Sequence, residues 1–278
     1  MGLEHLRKTY QGTVFRQVLG YRAGIPNIAD KNRKTTIQIA RCLITRMGFS
    51  LCSDPPKGQE ARVLFAELTL DYLQKAFQLL QYLCPSKSIF SIRRDAPPFD
   101  GYEHLGDLPR VLGQHPELHA TWGDYLITPD ILVGRSPVSK QQINQTSNVL
   151  QGNSVTSMPL CVSNLSEPKL ILHASISCKW TIRSGKAQNI RTEALNLIRS
   201  RKGHIPHVNV VTAEPLPTRL ASLALGTGDL DCVYHFALPE LEEAVKEIEN
   251  EDQWEVLQGM VNGRRLRDIS DLPFDLAI

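Results

Sequence analysis

Between Ala61 and Leu83 the apolar residues Leu64, Phe65, Leu68, Tyr72, Leu73, Phe77, Leu80 and Leu83 recur at three- and four-residue intervals. That spacing gathers them on one face and predicts a long amphipathic helix, which Pro85 stops. Residues Ser88 to Ile92 read as a short strand, and Gly113 to Thr121 as a weak helix or a loop. The run from Asp124 to Val133 reads as two short strands turning at Pro129. Leu170 to Cys178 is apolar at alternate positions and partly β-branched, hence a strand, and Asn189 to Ser200 reads as a helix with Leu195 and Ile198 inward and Gly203 as its stop. Val208–Ala213 and Cys232–Ala237 are short apolar runs of the kind that form buried strands. Each is followed by a helical pattern, Leu241 to Ile248 being one. Strands with flanking helices imply an α/β fold around a mixed sheet. From Gly134 to Pro159 the chain is rich in Ser, Asn and Gln, which predicts an exposed loop or insertion (134–159) within a single domain spanning 1–278.

The length of 278 residues and the 42% hydrophobic content are ample for one packed core. The six cysteines (Cys42, Cys52, Cys84, Cys161, Cys178, Cys232) form no CxxC pair and no zinc-spaced cluster, so they read as reduced thiols of a cytoplasmic protein. The start of the chain lacks the apolar core of a signal peptide, and no apolar run approaches the roughly 18 residues of a membrane span. No membrane partner is expected. A net charge of +2 does not by itself point to nucleic acid, so any such surface must be a local basic patch.

Candidate chemistry gathers on three residues. Asp130 follows Pro129 at a predicted strand edge, Lys179 ends the strongest strand, and Glu193 lies on the helix after it. Two carboxylates can hold Mg²⁺ to polarise a phosphoryl oxygen, and a lysine can position or help deprotonate the attacking water. Singly, Pro-Asp is a common turn pair and a lysine near a strand end is usually solvated. The order of elements strengthens the nuclease reading, because it could bring all three groups to one end of a sheet. A thiol nucleophile at Cys178 is disfavoured, since no histidine is near it in sequence and strand-buried thiols are usually inert. Gly226-Thr227-Gly228-Asp229 lacks the lysine and strand-to-helix context of a phosphate loop and reads as a turn.

The segments Leu172–Ser184, Val210–Pro215, Leu223–Gly228, Asp231–Leu238 and Asp268–Pro273 resemble the catalytic half of the type II restriction endonucleases of the NgoMIV, Cfr10I and SgrAI group. The likeness is close from about Leu172 to Ile278 and around Thr128–Val133, and patchier before that. It implies a restriction-endonuclease-like core of the PD-(D/E)xK type, with a mixed β-sheet flanked by helices, whose second acid is displaced onto the following helix. Ser177 stands where the usual acid would be, and Glu193 takes its role. The resemblance further implies that Asp130, Glu193 and the Cys178 backbone carbonyl bind Mg²⁺ while Lys179 aids the water. It implies cleavage of double-stranded DNA at GCCGGC or a related CCGG-centred palindrome, leaving 5′ overhangs. A homodimer or homotetramer and a methyltransferase acting on the same site complete the implied partners. The base-reading set it implies is Arg183, Ser184, Gly185 and Lys186 after the lysine, Arg219 and Asp30 for the outer base pair, and Gln59 in the minor groove.

Two positions depart from the family pattern. Where the family has Arg-Ser-Asp-Arg, this chain has Arg183-Ser184-Gly185-Lys186, so the cytosine-reading carboxylate is absent and a bidentate arginine has become a point-charge lysine. On the long helix Ala66 occupies the place of an auxiliary acid, with Glu67 one step on as the candidate replacement. One helical step is a rotation of roughly 100°. Two other readings therefore remain: a DNA-binding relative with weak or lost cleavage or an altered site, and a structure-specific repair nuclease.

Overall fold

The computed structural model describes residues 2–84, 87–92, 99–102, 108–117, 129–150, 162–163, 170–182, 184–226 and 228–277. In chain order these hold α1 (Leu3–Gln17), a hairpin of β1 (Tyr21–Arg22) and β2 (Ile25–Pro26), α2 (Lys34–Met47), α3 (Gly58–Leu80), β3 (Ser88–Ile92), β4 (Phe99–Asp100) and α4 (Leu108–Gln114). Next come β5 (Ile131–Arg135), β6 (Val138–Ser139), α5 (Lys140–Ile143), β7 (Val162–Ser163), β8 (Leu170–Lys179), α6 (Ser184–Arg199) and β9 (His207–Thr212). The last third supplies α7 (Pro217–Ala224), β10 (Cys232–His235), α8 (Leu238–Glu247), α9 (Glu251–Asn262), β11 (Leu266–Asp268) and α10 (Leu272–Ala277). No helix among the described residues is long and apolar enough to cross a membrane.

The expected mixed sheet is present, in the order β11-β10-β9-β8-β5-β3, with β4 also paired to β8. Strands β8 to β11 run parallel, whereas β5 is antiparallel to both β8 and β3. β8 is central, and every residue from Ala174 to Lys179 is buried, which explains its near-continuous apolar character. Phe65 of α3 packs edge-on against Trp180, just past β8, at 5.3 Å between ring centres. Ile190 and Ala194 of α6 share a small cavity with Ser175 and Ser177. At the β5–β8 bulge between Val133 and Gly134, a Cβ on Gly134 would stand 2.9 Å from the Phe99 ring, so only glycine fits without movement.

Several predicted boundaries move. The long helix starts three residues earlier than its apolar pattern, at Gly58, and its end passes into a single 3-10 turn at Gln81–Leu83. The helix expected from Asn189 begins at Ser184, so Gly185 and Lys186 lie in its first turn. The described part of the segment expected as an exposed loop from Gly134 includes regular structure. β5 continues to Arg135, β6 pairs with β7, and Ser139 caps α5 through a reciprocal capping box with Gln142. Of the two strands expected between Asp124 and Val133 only the second is described, because residues 121–128 lie outside the described residues.

Two helices, α1 and α2, flank the β1–β2 hairpin in the first fifty residues. α1 buries Leu6, Tyr10, Val14 and Phe15, and α2 buries Ile39, Ala40, Leu43 and Ile44 before Gly48 ends it in the left-handed region, φ 64°. Arg7 of α1 donates to Asp268 of β11 from Nε and Nη2, each at 2.7 Å, and to Glu240 of α8 at 2.9 and 2.7 Å. This fork fastens the N-terminal helix to the edge of the sheet.

Candidate active site

Antiparallel pairing is what brings Asp130 to the carboxyl end of β8. Ile131 lies opposite Ile176, so the residue before β5 falls level with the last turn of β8 towards Lys179. The Cys178 backbone N–H donates to Asp130 Oδ2 at 2.8 Å and fixes the carboxylate. Lys179 Nζ, on a side chain that is almost wholly buried, lies 3.3 Å from the same oxygen. Ser175, Ser177 and Lys179 share one face of β8 by the two-residue period. Glu193 of α6 lines a cavity of about 10 Å³ together with Pro129, Ser175, Ser177 and Ala194. An acid on the next helix thus stands beside Ser177 of the central strand, and a cavity of this size admits a group no larger than a water or an ion.

The other carboxylate oxygen of Asp130 has a partner that sequence reasoning did not find. Arg62 of α3 donates from Nη2 to Oδ1 at 2.6 Å. Its Nε is buried without a hydrogen-bond partner among the described residues, so the guanidinium is held by its tip. Stepping one helical turn back from Ala66 reaches Arg62, and that periodicity was the available signal. Glu67, the candidate replacement for the auxiliary acid, is exposed, whereas its neighbours Phe65, Ala66 and Thr69 are buried, and the hydrogen bonds described to Asp130 come from Arg62, Cys178 and Lys179. The α3 side chain that reaches the site is basic, not acidic. Removing it should lower stability, since a hydrogen bond to a charged group contributes about 1.5–3 kcal/mol. Arg62→Ala is expected to move the urea unfolding midpoint down by the equivalent of about 1–2 kcal/mol. An unmoved midpoint would mean that the ion pair is energetically idle.

The donor set suits a hard divalent cation. Asp130 and Glu193 offer carboxylate oxygens, and no cluster of three or more His, Cys, Asp or Glu side chains occurs among the described residues. Mg²⁺ commonly takes one or two protein carboxylates and completes its shell with water and substrate phosphate. The residues present fit that requirement. The Cys178 thiol is fully buried, and burial pushes its pKa well above the usual thiol range, so it stays protonated and chemically inert.

The described residues expected to read bases are distributed over three helices and the loop before α2. Arg183 lies outside the described residues, and Ser184, Gly185 and Lys186 form the first turn of α6, a helix end that favours contact with anionic backbone. Gln59 is exposed on the first turn of α3. Asp30 and Arg219, 189 positions apart in the chain, are ion-paired to one another. Asp30 is held below the ordinary carboxylate range by the Asn32 backbone N–H and by Arg219.

Glu214 was not foreseen either, although an acid following the buried strand run Val208–Ala213 is a signal for a buried, hydrogen-bonded carboxyl group. It is fully buried between β9 and α7 and accepts from the backbone N–H of Ile182 at 2.8 Å and of Leu216 at 3.2 Å. Burial pushes its pKa up to about 7 despite those bonds and the nearby Arg219 guanidinium. In the unfolded chain the same carboxyl ionises near 4.5. Between those values the native state keeps a proton that the unfolded state has released, so this group's contribution to stability declines as pH rises through the window. The stability difference between the native sequence and Glu214→Gln is expected to shift in favour of the variant from pH 4.5 to 7. Urea unfolding at several pH values checks this, and a flat difference would contradict it.

The NgoMIV restriction enzyme family model matches residues 7–278. The chain is also 43% identical over 261 residues to the type II restriction enzyme NgoMIV of Neisseria gonorrhoeae, covering 92% of this chain and 91% of the relative. The chain belongs to the NgoMIV restriction enzyme family. Membership places it among the type II restriction enzymes, site-specific deoxyribonucleases, and agrees with the mixed α/β sheet described above. Within this family member the match runs through both the catalytic strand and the N-terminal helices, where the sequence likeness read from motifs was patchier.

Proposed function

We propose that this protein cuts both strands of a CCGG-centred palindrome, GCCGGC in the first instance, in a Mg²⁺-dependent reaction that leaves 5′ overhangs. The observation that carries the chemistry is the convergence on Asp130 Oδ2 of the Cys178 N–H and the Lys179 ammonium, with Glu193 beside Ser177 in the adjoining cavity. Asp130 and Glu193 would hold the ion, with the Cys178 backbone carbonyl as a further oxygen donor. Bound there, Mg²⁺ supplies Lewis-acid stabilisation of the charge that develops on the phosphoryl oxygens. Lys179, held by its ion pair, orients the attacking water and is placed to take part in its deprotonation. Asp130 is kept in one orientation by a backbone donor, so its geometry is set before DNA arrives.

For recognition, Arg183 and Lys186 supply cationic donors suited to guanine O6 and N7. Arg219 and Asp30 serve the outer pair, Gln59 the minor groove, and Ser184 and Gly185 the approach of backbone to the groove floor. A palindrome needs two symmetry-related active sites, one for each strand, so the working unit is a homodimer or a homotetramer of single-domain subunits. In the cell it would act in the cytoplasm, alongside a DNA methyltransferase that protects the same sequence.

A second reading is favoured by two specific observations. Gly185 lacks the carboxylate needed to accept from cytosine N4, and Arg62 engages the Asp130 oxygen that a cation would use. It describes a relative that binds DNA and cuts weakly or not at all. A labelled GCCGGC duplex incubated with the protein in EDTA, Ca²⁺ or Mg²⁺ separates the two. Product in Mg²⁺ alone supports the nuclease, whereas retention in Ca²⁺ and Mg²⁺ without product supports the non-cleaving relative.

A further inference from the structure

A set of hydrogen bonds, completed by one longer ion-pair contact, runs from the strand end that carries Lys179 to the Arg219–Asp30 pair, through groups that the function above does not use. The Thr212 hydroxyl, fully buried at the end of β9, donates to the Lys179 carbonyl at 2.7 Å and accepts from the Glu214 backbone N–H at 3.1 Å. The Glu214 carboxylate then divides its two oxygens. Oε2 takes the Ile182 N–H at 2.8 Å, in the turn that leads from β8 to α6. Oε1 takes the Leu216 N–H at 3.2 Å and lies 3.8 Å from Arg219 Nη1, while another nitrogen of the same guanidinium meets Asp30.

Burying a carboxylate is costly unless it is paired and hydrogen-bonded, and a wholly apolar residue would fill this position without that cost. Glu214 is satisfied on both oxygens, and its partners come from two separate stretches of chain, the turn after β8 and the start of α7. We propose that Glu214 is a positioning residue for specificity, holding the turn at Ile182 and the guanidinium of Arg219 in one fixed frame with Lys179. It touches neither DNA nor the reacting atoms. Its part is to make the outer-pair reader and the cleavage machinery rigid with respect to one another, so that a mismatch felt at Arg219 is felt at Lys179. The proposal rests on the function proposed above, in particular on Arg219 reading the outer base pair.

The test compares kcat/KM on duplexes carrying GCCGGC and ACCGGT, which differ only in the outer pair, for the native sequence, Arg219→Ala, Glu214→Gln and the double variant. Arg219→Ala is expected to reduce the preference for GCCGGC by roughly tenfold or more. Glu214→Gln, which keeps the volume and one acceptor, is expected to reduce it to a similar extent with the thermal midpoint little changed, and the double variant to be no less selective than Arg219→Ala. If Arg219→Ala lowers the preference and folded Glu214→Gln does not, the proposal fails while the outer-pair reading stands. If both rates fall equally in Glu214→Gln, in step with lost folded protein, the role is structural and the proposal is overturned. A preference absent from the native sequence, or unmoved by Arg219→Ala, would overturn the outer-pair reading and the proposal with it. Should Glu214→Gln fail to fold, Thr212→Val carries the same test, because it removes the hydroxyl link at nearly constant shape. It too must lower the preference, and an unchanged preference overturns the proposal.

Discussion

Lys179→Ala is expected to lower the cleavage rate by about 10²–10⁴-fold, the range for losing a positioned proton-transfer group, while DNA retention in Ca²⁺ stays within a fewfold of the native sequence. The reason is its place in the sheet. Lys179 is the last residue of the central strand, almost wholly buried, with its ammonium directed to Asp130 Oδ2 by the same register that presents the Cys178 N–H to that oxygen. Alanine leaves the strand and its pairing to Thr212 untouched, because Thr212 bonds to the backbone carbonyl and not to the side chain. Binding and cleavage should therefore separate. Single-turnover cleavage and filter retention on the same preparation measure the two, and cleavage at the native rate would show that the site has been placed wrongly.

Asp130→Asn should be at least as damaging to cleavage, on the order of 10³-fold or more, since several kcal/mol of charge stabilisation depends on the carboxylate and each decade of rate corresponds to about 1.4 kcal/mol. It should also unsettle the apoprotein. Asp130 is the counter-charge of both Arg62 and Lys179, and the amide would leave two partly buried cations facing one another with no anion between them. The expected signature is loss of product together with a lower urea midpoint, of which Arg62→Ala reproduces only the second. A variant with native activity would exclude Asp130 from the reaction.

How much of this could be read from the chain depends on the range over which each feature is encoded. α3 and β8 were legible because both are long and carry an unbroken period, one of three to four residues and one of two. The convergence of Asp130, Lys179 and Glu193 at one end of the sheet could be expected from the order of their elements before any packing was known. The start of α6 was misplaced by five residues, because Ser184-Gly185-Lys186 carries no apolar period and includes a residue of low helix propensity. Arg62 and Glu214 were not legible as members of the site. Their partners lie 68 and 32 positions away, and such pairings are fixed by sheet register and helix packing, not by local pattern. Glu67 is exposed where Ala66 is buried, since proximity in sequence does not place two side chains on the same helical face.

The proposed reaction is a metal-dependent, sequence-specific double-strand break made at Asp130, Lys179 and Glu193. Its most direct test is incubation of the purified protein with Mg²⁺ and plasmids carrying zero, one or two GCCGGC sites, followed by sequencing of the ends. Cuts confined to that sequence with CCGG 5′ overhangs, faster when two sites are present, are the predicted result. An intact two-site plasmid, or ends scattered without regard to sequence, would contradict it.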